Sequence, residues 1–143
     1  MNKGVSIIEL LLTISLVAII GASATPVYTN FLARNYLENK TNEIISSLQT
    51  AKTNSISGKE DSPWGVYLTS QIILFKGSTY ATRDTAFDQT YSIPISITVS
   101  GISEIVFGQP VGDPNLTGTI TIANNQNESN TLTINQFGTI NVN

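Results

Sequence analysis

From Val5 to Thr25 the chain runs through 21 residues that carry a single charge, Glu9. No other feature limits the fold so strongly. At ~1.5 Å per residue a helix over this run is about 32 Å long, which matches a hydrocarbon core of ~30 Å and predicts a membrane-spanning segment. Lys3 stands just before the run, and a cation on that flank places the N-terminus on the cytoplasmic side and the rest of the chain outside. A carboxylate inside such a segment is costly and marks a functional position. Two other readings of the run remain: a secretory signal peptide cut near Ala22-Ser23-Ala24, and a plain membrane anchor. The lone Lys and the embedded Glu9 argue against the signal peptide.

Past Pro26 the pattern turns amphipathic. Tyr28, Phe31, Leu32, Tyr36, Ile44, Ile45, Leu48 and Ala51 recur at helical spacing, with Arg34, Glu38, Lys40, Glu43 and Lys52 between them, so one helix is predicted over residues 5–57. The apolar stripe is expected to lie under the remainder of the chain. Gly58 and Pro63 end the helix. Pro26 removes one backbone donor and Gly21 is a weak helix former, so both are expected kink sites.

Residues 58–143 form the β-rich head, and from Trp64 onward the period is two. Trp64–Thr69 and Gln71–Phe75 read as a hairpin about Ser70, and Trp64 and Tyr67 as anchors of the head on the helix. Gly77–Thr90 reads as a polar loop, and Ile93, Ile95, Ile97 and Val99 as one strand entered through Pro94. Glu104–Phe107, Gly118–Ala123, Asn130–Ile134 and Thr139–Val142 complete about seven short strands. The fold class is therefore α+β: a long N-terminal helix, transmembrane in its first half (residues 5–25), packed against a small, mostly antiparallel β-sheet head.

The 143 residues contain no cysteine and no histidine, which excludes disulfides, thiolate metal sites and the commonest general base. With a net charge of −3 and 12% charged residues, the chain lacks the basic footprint of a nucleic-acid binder. No catalytic or phosphate-binding arrangement is available, so no enzyme and no cofactor is expected. Asp84, Asp88, Asp113 and Glu128 fall in expected loops without the spacing of a calcium loop, and no metal site is assigned.

Lys3-Gly4, a break, then an apolar helix with Glu9 at its fifth residue resembles the class III signal of type IV prepilins and pseudopilins. Pro26 matches the proline common in that family; Val5 departs from its usual Phe, and the leader is short. The resemblance implies cleavage after Gly4 by a membrane prepilin peptidase and N-methylation of Val5, leaving residues 1–4 as leader. It also implies assembly in which Glu9 pairs with the N-terminal amine of a neighbouring subunit. Ile105-Val106-Phe107-Gly108, Gly118-Thr119-Ile120-Thr121-Ile122 and the terminal Ile134-Asn135-Gln136-Phe137-Gly138-Thr139-Ile140 are similar to the minor pseudopilin H and FimT-like branch. Some members bind DNA through a basic tail, but no Lys or Arg follows Arg83 here, so that route is not expected.

By resemblance, then, the chain is a structural subunit of a type IV pilus or a type II secretion pseudopilus. Its implied partners are other pilin or pseudopilin subunits, the prepilin peptidase and an inner-membrane assembly platform. Its implied location is the inner membrane, head outside, and then a surface pilus or periplasmic pseudopilus. The other class of function is a tip-located minor pilin whose head binds a surface, a protein or DNA.

Overall fold

A computed structural model describes residues 4–143, except that the side chains of residues 23–27 are left out. One helix, α1, spans Ile7–Ile56. It starts two residues later than the periodicity predicts, with Ser6 as an extended N-cap residue whose side chain makes no capping bond. At the other end Gly58 adopts φ 65°, a left-handed conformation that glycine enters without a Cβ penalty.

The expectation of a membrane-spanning first half is corrected. Among the described residues no helix is long and apolar enough to cross a membrane. The apolar part of α1 with described side chains covers residues 7–22, about 24 Å of helix against the ~30 Å that a bilayer core requires. Gly21 has open space around it; Pro26, the other expected kink site, lies outside the described side chains.

The head is also built differently from the single sheet expected. Its eight strands are β1 (Trp64–Leu68), β2 (Gln71–Lys76), β3 (Asp84–Ser92), β4 (Ile97–Gly101), β5 (Glu104–Phe107), β6 (Gly118–Asn124), β7 (Ser129–Ile134) and β8 (Ile140–Val142). They form two four-stranded antiparallel sheets, ordered β3-β2-β1-β5 and β4-β6-β7-β8. Residues 84–92, read from sequence as the end of a polar loop, are β3. Polarity concealed it: Asp84 and Asp88 meet Lys76 and Arg83, and almost nothing on the strand is buried. Conversely the expected strand over Ile93–Val99 begins only at Ile97, because Ile97 N–H donates to the Pro94 carbonyl in a turn. That turn leaves Ile95 wholly exposed.

Both sheets close on one face of α1, which touches β1, β2, β5, β6 and β7. Leu37, Ile44, Leu48 and Ala51 pack with Trp64, Val66, Leu74, Phe107, Ile120, Ile122 and Leu132 in one core. The chain passes from the second sheet to the first at Gly101, where φ is 100° and a Cβ would run into the Thr119 carbonyl oxygen. Asn115 closes the β5 edge: its side-chain oxygen accepts from Val106 N–H, and its own N–H donates to the Val106 carbonyl, both at 2.9 Å.

Polar groups at the contacts between the helix and the sheets are paired, as burial demands. Fully buried Ser55 accepts the Trp64 backbone N–H at 2.8 Å, and the Trp64 indole donates to the Lys59 carbonyl at 3.0 Å. Asn130 donates to buried Thr41 across the other sheet at 3.1 Å. Tyr67 does not face the helix as expected. It stacks on Tyr80 on the outer side of the first sheet, with centroids 3.8 Å apart.

Two stability predictions follow from these contacts. Ser55→Ala leaves the Trp64 N–H buried without a partner and should cost about 1–3 kcal/mol. Gly101→Ala should cost at least as much, since it combines a forbidden φ with a backbone clash. Urea denaturation followed by Trp64 fluorescence measures both; an unchanged midpoint for either would contradict this account of the helix-to-sheet clamp or of the crossover.

Candidate assembly surface

Two lengths of α1 differ in what covers them. From Leu37 onward the inward positions are buried by the head. Before Leu37 no described side chain of the helix is buried, and only Leu32, Ala33 and Asn35 among them are half-buried. Ile7, Ile8, Leu10, Leu11, Leu12, Ile14, Leu16, Val17, Ile19 and Ile20 are all more than half exposed. They surround the helix, so the stem has no polar face to turn to water. Full burial of such a side chain is favourable by about 1.5–3 kcal/mol, and a helix apolar all round is one that something else encloses.

The exposed region reaches further than the sequence predicts. Tyr28, Phe31 and Tyr36 were expected to lie under the head, yet they are 63%, 62% and 48% exposed. Among the described residues the first fully buried one on the helix is Leu37, at 3% exposure. Helical spacing identifies which residues share a face; it contains nothing about how far along the helix the sheets extend. The exposed aromatic collar therefore went unrecognised in the sequence, where Arg34 and Glu38, paired with each other at 3.2 Å, are the one local sign of a solvent-facing turn.

The predicted site residues lie at the free end of this stem. Gly4 has no atom near the position of a Cβ, and Val5 is 71% exposed. Both precede the helix. Glu9 lies in its first turn, exposed, where a carboxylate opposes the positive end of the helix dipole. With residues 1–4 attached, Val5 is joined by a peptide bond and has no amine to offer; only cleavage after Gly4 would create a cation four positions before Glu9. Neighbouring Thr13 and Ser15 donate to the carbonyls of Leu10 and Leu12 at 2.9 Å, so the hydroxyls in the stem are satisfied within it and add no polar stripe.

The acidic loop residues do not converge. Asp84 pairs with Lys76, Asp88 with Arg83, and Glu128 accepts from Asn124. Asp113 lies in a turn whose carbonyl accepts from Gly108. Among the described residues no group of acidic side chains is placed to hold a metal ion. Compared with known proteins, the chain matches no family model, no curated protein and no solved structure.

Because Leu12 and Ile14 are exposed and lie outside the core, Leu12→Ser or Ile14→Ser should leave the denaturation midpoint of the head within the ~0.5 kcal/mol of an ordinary surface change. The contrasting Leu48→Ala should cost about 2–5 kcal/mol. A loss of head stability in the stem variants would mean that the stem folds back on the head.

Proposed function

We propose that the chain is a structural subunit of a type IV pilus or a type II secretion pseudopilus, cut after Gly4 by a prepilin peptidase and assembled through its N-terminal apolar helix. The observation that supports this most is the uncovered stem of α1: an apolar surface on every side of a helix, ending in one carboxylate, joined to a head whose own core is complete without it. A bundle of such stems buries what a single chain leaves exposed. The cell-surface pilus or periplasmic pseudopilus, the assembly platform and the peptidase belong to the same reading.

In a bundle of apolar helices, axial sliding costs little, and a polar contact fixes the register. Cleavage gives Val5 a cationic amine; Glu9 of one subunit and the amine of another would then be held with little water. Leaving either ion unpaired there costs about 3–5 kcal/mol. The pairing therefore selects one stagger among the many that hydrophobic burial alone tolerates.

Peptide mass spectrometry of the protein from cells tests the processing step. The mature chain should begin at Val5, with or without a methyl group, and Gly4→Ala should leave the precursor uncut. Glu9→Ala should be processed normally and yet be recovered in filaments at less than about a tenth of the wild-type amount, as expected for a loss above 1.4 kcal/mol per subunit. A mature N-terminus near residue 25 would overturn the reading.

A further inference from the structure

Three of the four outer strands of the two sheets are short or blocked. β5 is closed by Asn115 and bridged to Pro114, β8 has three residues, and β4 has five and follows the Pro94 turn. The fourth, β3, has nine residues, no Pro and no Lys; a register shift opposite Phe75 confines its regular ladder to Gln89–Ser92 and leaves that end as the open edge.

Its register shows which groups are open. Ile93 N–H donates to the Ser70 carbonyl, and the ladder continues as Ile72↔Tyr91 and Leu74↔Gln89. Alternation along an antiparallel pair then points the N–H and C=O of Ile93, Tyr91 and Gln89 at β2, and those of Ser92 and Thr90 away from it. Within the described residues the backbone groups of Thr90 and Ser92 have no other partner. Beside this edge the face of α1 carrying Glu43, Ser46 and Thr50 is left uncovered, forming with Gln89 and Tyr91 a groove of about 240 Å³. An added strand would lie over that groove.

We infer that β3 pairs with β3 of a second copy, antiparallel about a two-fold axis at Thr90, to make one continuous eight-stranded sheet. The strand is self-complementary in this register. Thr90 faces the partner's Thr90 in a hydrogen-bonding pair, and the outward N–H of Ser92 lies opposite the partner's Asp88, where the regular ladder ends. Gln89 faces the partner's Tyr91 on the groove side. Asp84 and Asp88 are the strand's only charges, and neither meets a like charge across the axis. A one-residue shift would turn the open N–H groups out of register.

The axis reverses every element lying along the sheet, α1 included. The pair therefore links one assembly to another of opposite direction and is not the contact between neighbours within a stem bundle. It does not depend on the pilin reading.

The absence of native cysteine allows a direct test on the full chain in detergent. Directly opposed residues of a hydrogen-bonded pair have Cα atoms ~5.5 Å apart, within disulfide reach. Thr90→Cys under mild oxidation should form a reducible homodimer at least about ten times faster than Thr117→Cys, in an exposed loop. Ser92→Pro removes an outward N–H and spares the β2 ladder, so adding it to Thr90→Cys should abolish the cross-link while the circular dichroism spectrum is retained. Equal rates for the two single variants, or a cross-link that survives Ser92→Pro, would overturn the proposal. Repeating the experiment with Glu9→Ala separates the two readings: the β3 cross-link should persist where filaments are lost.

Discussion

Everything in the head depends on one face of one helix. Leu37, Ile44, Leu48 and Ala51 supply the apolar floor, and two sheets that share no strand close over it. Neither sheet could stand alone: four short strands with one apolar face need a second layer to bury it. The helix provides that layer for both, which is why the buried polar bonds occur at its contacts. Ser55 holds the start of β1 and Thr41 holds β7, fixing each sheet's position along the helix. Lys52 adds a third tie, donating to the Phe137 and Gly138 carbonyls at 2.7 and 3.2 Å in the turn between β7 and β8.

The same helix then becomes a different object at Leu37. Beyond it, one face is buried under the head; before it, the described apolar side chains are exposed or half-buried. Full burial begins there and leaves Tyr28, Phe31 and Tyr36 exposed, while the β6–β7 turn reaches back beside Asn30. The head's core is thus complete without the stem, whose exposed apolar surface lies outside it. That separation is what the proposed filament role would require of the chain.

Much of this was legible in the residues. The hairpin at Ser70, the hairpin from Gly118 to Ile134 and the helix end at Gly58 carry local signals, a period or a turn residue, and lie where those signals predict. β3 was missed because its stability comes from Lys76, Arg83 and the β2 ladder rather than from its own apolar pattern. The division into two sheets was missed because it is decided at Gly101 and Asn115. A φ of 100° at the first and a side chain folded back on Val106 at the second are outcomes of chain geometry, with no periodicity to announce them.

What the sequence determined by itself was the apolar stem with a single carboxylate, the helical face beyond it, and the lack of any side chain suited to thiol or imidazole chemistry. These are properties of composition and spacing along the chain, and short-range sterics and solvation suffice to express them. Only the tertiary structure decided where cover of the helix begins, how eight strands divide between two sheets, and which sheet edge is left open. Those depend on pairings between residues far apart in the chain, where the outcome is set by which close-packed, fully hydrogen-bonded arrangement the whole core admits.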